Sequence, residues 1–190
     1  METVGRVKGV SFSQTLERVR DLLASGAVSR EALDVQLSPE AAALIDEKVE
    51  PSLWYPVATA DELSRLLVEI EGGGDVGYMR GLGAQSLSGL LERDSIRSFI
   101  EGAMGQRGRE GETLVQLASL IYDFGKWSYA GDDLSRFVVT ARDVAELREA
   151  GMQTVAGFME ELVRRFAGFE VRVTAERPEP DRIVWTAVPA

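Results

Sequence analysis

The residues able to do chemistry in this chain are few, and their types decide much of the question. Among 190 residues there is no histidine and no cysteine. That removes imidazole bases, thiol nucleophiles, thiolate zinc sites, disulfides and imidazole ligation of haem. Only carboxylate, amide, hydroxyl and backbone groups remain as catalysts or ligands. Asp132 and Asp133 could supply half of a cation site, but no twelve-residue calcium loop surrounds them and their place beside Gly131 reads as a turn. Asp46 with Glu47 and Glu160 with Glu161 are adjacent acids whose side chains diverge on a helix, so neither pair makes an acid–base couple. No G-x-S-x-G elbow occurs, and without histidine a serine nucleophile would need Lys8, Lys48 or Lys126 as its base. Gly72, Gly74 and Gly77 match the spacing G-x-G-x-x-G, yet "DELSRLLVEI" before them is helical. A dinucleotide fingerprint needs a strand there, so the glycines read as a helix-to-helix turn. The residues argue against an enzyme.

What remains conspicuous is aromatic. Trp54 and Tyr55 stand between Pro51 and Pro56 in "EPSLWYP", and Trp127 and Tyr129 stand close together further on. Prolines bias the first segment towards extended backbone, so it is a connector that carries a large apolar area. Core packing explains most of these aromatics; the alternative is a pocket, with Trp54, Tyr55 and Trp127 as its candidate ligand-binding residues. Extended alternation sends Trp54 and Tyr55 in opposite directions. Leu53 and the helix face Leu63, Leu66 and Leu67 give Trp54 apolar neighbours, so Trp54 is expected inward and Tyr55 outward.

The elements that must position these residues divide the chain in two. Up to residue 126 the periodicity is helical. "SFSQTLERVRDLLASG" carries Phe12, Leu16, Val19 and Leu23 on one face, with Ser11 as a cap and Gly26 past the end. Ser29 caps "REALDVQ", and Ser38 with Pro39 opens "EAAALIDEKV". Thr59 and Glu62 have capping-box spacing ahead of Leu63, Leu66, Leu67 and Ile70. Gly72 to Gly74 stop that helix, and Gly77, Gly81 and Gly89 mark the next as one that neighbouring backbones approach closely. "SIRSFIEGAM" and "ETLVQLASLIYDFGKW" continue as helices around a mobile loop, "GQRGREG". From residue 127 the pattern becomes hairpin, helix, hairpin. "SYAGDDLSRFVVTA" is the first hairpin, and a helix spans "RDVAELREAGMQTVAGFMEELVRRFAG". In the second hairpin Phe169, Val171 and Val173 alternate with polar residues, Pro178 and Pro180 mark the turn, and Ile183, Trp185 and Ala187 face the core. The expected fold is α+β: one domain over 1–190, with an antiparallel sheet packed by helices.

Composition narrows the partners. Twenty-one basic against 31 acidic residues leave a net charge of −10, which repels phosphate backbones and argues against nucleic acid. Arg164 and Arg165, the best basic pair, sit where they offset a helix dipole. The N-terminus lacks the apolar run of a secretory signal, and no stretch approaches the ~20 apolar residues of a membrane span. A cytoplasmic location is expected.

The stretch "SRFVVTARDVAELREAGMQTVAGFMEELVRRFAGFEVRV", with "RIVWTAV" after it, resembles a unit of the superfamily shared by haem nitric-oxide-binding domains, 4-vinyl-reductase domains and vesicle-tethering TRAPP subunits. The whole chain, with "PSLWYP" and its C-terminal tryptophan strand, also resembles a myxobacterial protein family of about this length. The haem-binding branch relies on a proximal histidine and the vinyl-reductase branch on cysteines near its C-terminus, and this chain has neither. The resemblance therefore implies the scaffold alone, used for apolar ligands or subunit contacts, with no cofactor. The reading is a non-catalytic regulatory or interaction module that self-associates as a homodimer or meets a protein partner. The alternative is a sensor holding a small apolar ligand in an aromatic-lined pocket without haem.

Overall fold

The computed structural model describes residues 4–104 and 110–190. A short strand, β1 (Arg6–Lys8), leads into α1 (Gly9–Ala24), α2 (Arg30–Gln36) and α3 (Pro39–Asp46). The proline-flanked aromatics form β2 (Trp54–Pro56), which pairs antiparallel with β1, Val7 opposite Tyr55. Next come α4 (Val57–Ile70), a 3-10 turn (Val76–Tyr78), α5 (Met79–Leu91), α6 (Asp94–Met104) and α7 (Glu110–Ile121). The second half holds β3 (Lys126–Asp133), β4 (Arg136–Arg142), α8 (Glu149–Ala167), β5 (Val171–Glu179) and β6 (Arg182–Pro189). These four strands form one antiparallel sheet in the order β3-β4-β6-β5. The α+β reading, helical first and then hairpin, helix, hairpin, describes the molecule.

Local chemistry explains most boundaries. Ser29 and Ser38 accept from the backbone N–H of Ala32 and Ala41, and Pro39 occupies the first turn of α3. Gly26, Gly73 and Gly74 have positive φ just past helix ends, where the left-handed turn costs glycine nothing. Ile183, Trp185 and Ala187 are fully buried, as period-two alternation requires, and Trp185 donates its indole N–H to Met152 O at 3.0 Å.

Four expectations need correction. Strand β1 was invisible because three residues carry no period. The capping box is absent: α4 begins at Val57, and Glu62 instead accepts from the Ser38 N–H at 2.7 Å, tying two helix starts together. Ser11 caps nothing and donates to Lys8 O. The long helix begins at Glu149, because Asp143 takes a positive φ of 58° and residues 143–148 run as a loop that still buries Val144 and Leu147. The expected loop "GQRGREG" falls mainly on residues 105–109, outside the described residues.

The glycines of close approach are also different ones. A methyl group at Gly83 on α5 would overlap the Thr154 carbonyl oxygen on α8, and one at Gly157 on α8 would overlap the backbone of Arg80 on α5. Gly81 faces open space and Gly77 contacts only its own capping Asp75. Arg80 then reaches past the crossing: it donates to Gln153 Oε1 at 2.7 Å, pairs with Glu160 at 2.7 Å and donates to Val173 O at 2.8 Å. Glu160 accepts from Val173 N–H at 2.9 Å. Both outward backbone groups of Val173, on the edge strand β5, are thereby capped.

The crossing predicts opposite signs for two alanines. Gly157→Ala should lose about 1–3 kcal/mol through overpacking, whereas exposed Gly81→Ala should gain roughly 0.5–1 kcal/mol through helix propensity. Urea unfolding checks both, and a shared sign would contradict the packing described.

Candidate functional site

Two apolar clusters meet along α5 and α8. One is built from α1, α3 and α4, and the other from the inner sheet face with α7 and α8; Tyr122 packs against both. Tyr122 follows α7, is held by a bridge from Val7 to its backbone, and stacks on Trp127 with ring centroids 5.4 Å apart. Trp127 stacks in turn on buried Trp185 at 5.5 Å, and Phe124 meets Tyr122 edge-on at 5.6 Å. Burial alone holds the Tyr122 phenol protonated far above its ordinary range. The Trp127 indole nitrogen is buried without a partner.

Beside this stack lies a cavity of about 50 Å³, walled by Leu90, Leu117, Tyr122, Trp127, Phe158 and Met159. A second cavity of about 50 Å³ adjoins it, lined by Thr15, Asp61, Ser64 and Arg148 among others. Ser11, Tyr122 and Thr154 belong to both linings. Asp61 and Arg148 also line an open surface cleft of about 1060 Å³ between α4, the loop before α8, and β5. Asp61 pairs with Arg65 at 3.1 Å through one oxygen, and its other oxygen is buried and unpartnered. Burial raises its carboxyl above the usual aspartate range, against the opposing pull of Arg65 and Arg148.

The structure separates the three aromatics singled out from sequence. Trp127 lines the apolar cavity. Tyr55 belongs to the helical cluster, where it meets Phe12 edge-on at 5.5 Å and its hydroxyl accepts from Glu50 N–H at 2.9 Å. Trp54 turns outward under Lys8, whose ammonium sits 3.9 Å from the ring centroid, and Leu53 is 56% exposed. The inward and outward assignments are thus reversed, because pairing with β1 rather than the α4 face sets the strand's orientation. Neither Trp54 nor Tyr55 reaches the cavities.

The sequence reading missed Tyr122, Asp61 and Thr154. Only Asp61 left a trace, as an acid four residues before Arg65 on a helix. The acid pairs stay apart: Glu160 holds Arg80 while Glu161 holds Arg164 at 2.6 Å, and Asp46 holds Arg30 at 2.8 Å. Asp133 takes the Ser135 N–H and hydroxyl, a turn contact that lowers its carboxyl pKa. Among the described residues no cluster of three or more acidic side chains could hold a metal ion.

No protein-family model and no curated protein matches the sequence. Solved structures match in fold. An Fe(II) unliganded H-NOX protein from K. algicida superposes with a TM-score of 0.67 at 10% identity, covering 96% of each chain. A point mutant of T. tengcongensis H-NOX gives 0.62 at 15% identity over 96% of this chain and 97% of that one. An oxygen-binding H-NOX domain related to soluble guanylate cyclases, in its oxygen complex, gives 0.58 at 15% over 95% and 92%. The chain has the H-NOX fold along nearly its whole length, and of the sequence resemblances it is the haem nitric-oxide-binding one that these structures share.

Two outcomes check the placements. Tyr55→Ala should cost about 2–4 kcal/mol, since it removes an aromatic from the helical cluster. Trp54→Ala should cost about 1 kcal/mol or less, since half-buried Trp54 belongs to neither apolar cluster and its contact is the cation–π one with Lys8. Chemical denaturation ranks the pair, and the reverse order would place Trp54 in the core after all. For Asp61 the folded pKa is raised, so its ionisation penalty is absent below roughly pH 3.9, grows as pH rises from there and is complete above the folded value. Asp61→Asn should therefore gain stability over the parent between pH 3.5 and pH 7; a difference independent of pH would contradict the burial of that carboxyl.

Proposed function

We propose that this chain is a non-catalytic regulatory sensor module on the H-NOX fold, holding a small apolar ligand between its helical half and its sheet, without haem. The carrying observation is the aromatic-walled cavity of about 50 Å³ where both apolar clusters meet. A ligand there touches α5, α7, α8 and the sheet together, which is where a module must be touched to couple its halves.

The K. algicida protein is an Fe(II) form, so haem has to be weighed for this chain too. Its residues do not fit the group. Haem iron is held by histidine, cysteinate, a methionine–histidine pair or tyrosinate, and the chain lacks histidine and cysteine. Tyr122 is the tyrosine at the apolar cavity, and burial keeps it a neutral phenol. The cavity volume falls far below the ~300–1,000 Å³ of pockets that hold drug-sized ligands. The open cleft is roomy, but it is lined by carboxylates, arginines and aliphatic side chains, with Met152 as its soft donor. No helix among the described residues is long and apolar enough to cross a membrane, and a cytoplasmic location belongs to this reading.

A second reading, a homodimer, draws support from the sheet. Val138, Thr140, Val184, Thr186 and Val188 alternate with the core residues and stay partly exposed on its outer face. Since β5 is capped at Val173, pairing would use this face rather than the edge.

Haemin titration of the purified protein should give no stoichiometric Soret band, while xenon should bind saturably in nuclear magnetic resonance spectra with shifts at Tyr122 and the Trp127 indole. One haem per chain, or no xenon site, would end the sensor reading in this form. Light scattering at micromolar concentration should report about twice the chain mass, and Val184→Lys should restore the monomer; a monomeric parent removes the second reading.

A further inference from the structure

The sensor reading leaves the ligand's chemistry open, and the hydroxyls around the two cavities narrow it. Ser11 donates to Lys8 O at 2.8 Å, Ser64 to Ala60 O at 2.8 Å, Ser86 to Gly83 O at 2.7 Å and Thr154 to Ala150 O at 2.9 Å. Each hydroxyl hydrogen is thus committed to a backbone carbonyl three or four residues back. What these groups still offer the cavities is lone pairs, because a hydroxyl has one hydrogen and two acceptor sites. The buried free oxygen of Asp61 adds another acceptor. The shared wall, Ser11 and Thr154 beside Tyr122, therefore joins an apolar chamber, whose donors are the Tyr122 phenol and the unpartnered Trp127 N–H, to one where the Ser11, Asp61, Ser64 and Thr154 oxygens are acceptors and Arg148 stands at the mouth.

We propose that the two cavities form one site for a small neutral amphiphile, its hydrocarbon body in the apolar chamber and a hydroxyl or amide N–H donated to the Ser11–Thr154 wall. An anion would meet these lone pairs and the Asp61 carboxylate. A cation would approach past Arg148, whose charge acts on Asp61 at the mouth where the polar cavity and the surface cleft share both residues. Size sets the other limit. Two chambers of about 50 Å³ each hold about seven to ten non-hydrogen atoms together, at roughly 10–15 Å³ of such volume per water-sized centre.

This inference rests on the sensor reading, and the probes separate the two. 1-Butanol is the test ligand, with butyrate and butylammonium as charged partners of the same length and xenon as the purely apolar probe. Amide and indole shifts of the full chain should saturate with 1-butanol at Tyr122, Trp127 and Thr154, and both ions should bind at least about tenfold more weakly. Thr154→Val keeps the shape and removes one acceptor, so it should weaken 1-butanol about fivefold or more while leaving xenon unchanged. Ser11→Ala repeats the test on the other side of the wall should Thr154→Val not fold. Saturable xenon without saturable 1-butanol, or 1-butanol affinity indifferent to both substitutions, overturns the donor site and leaves the sensor reading standing. Loss of xenon and 1-butanol together overturns both.

Discussion

Everything in this molecule is arranged around one backbone-to-backbone crossing. Helices α5 and α8 approach so closely at Gly83 and Gly157 that neither position has room for a Cβ, and each glycine receives the backbone of the other helix. A contact of that kind fixes the position and angle of two helices more tightly than interdigitated side chains do, because no rotamer can absorb an error. Helix α5 packs on α1 and α8 packs on β5, so the crossing also fixes how the helical half meets the sheet. Arg80 extends the constraint, since one guanidinium ties α5 to Gln153 and Glu160 on α8 and to Val173 of β5.

That rigid seam explains why the interior is not filled everywhere. With α5, α8 and the sheet held at a set separation, the space beside them must be closed by what α7 and the following turn can deliver. They deliver Tyr122, which completes a row of flat rings with Trp127 of β3 and Trp185 of β6, stacked nearly parallel at 21° and 15°. Planar rings fill a slot well and its corners badly, and the apolar cavity lies along the walls of the slot. The polar cavity has another origin. Thr15, Asp61, Ser64 and Thr154 occupy positions where helices face one another, and short polar side chains leave gaps that leucines would close.

The parts of the fold legible in the sequence are those with a period or a cap. The alternation read from Phe169 to Ala187 placed the last hairpin, although β5 begins only at Val171 and leaves Phe169 exposed, and Ser29, Ser38 and Gly26 placed helix ends, because each is a local effect with a local signature. The parts that were not legible depend on contacts distant in the chain. Gly83 and Gly81 look alike in "RGLGAQ", and only the arrival of α8, seventy residues on, makes one indispensable and the other idle. Trp54 and Tyr55 could be assigned opposite faces but not the correct ones, since the deciding partner is a three-residue strand at the other end of the helical half. The cavities were out of reach for the same reason: Ser11, Asp61, Tyr122 and Thr154 come from four separate elements and share no motif.

The pattern of hydroxyls carries the remaining step from packing to chemistry. A serine or threonine inside a helix saves its hydrogen by bonding a carbonyl of the preceding turn, which lets a small polar residue stand at a buried face at little cost. The same economy polarises whatever space the side chain borders. Four such residues around adjoining cavities leave acceptors that outnumber the donors there, the Tyr122 phenol, the Trp127 indole N–H and Arg148, and Asp61 adds one more acceptor where Arg65 occupies only one of its oxygens. An interior made this way discriminates by hydrogen count and by size before any specific contact is considered. It does so at the junction that α5 and α8 hold fixed, where what fills the space bears on both halves of the fold.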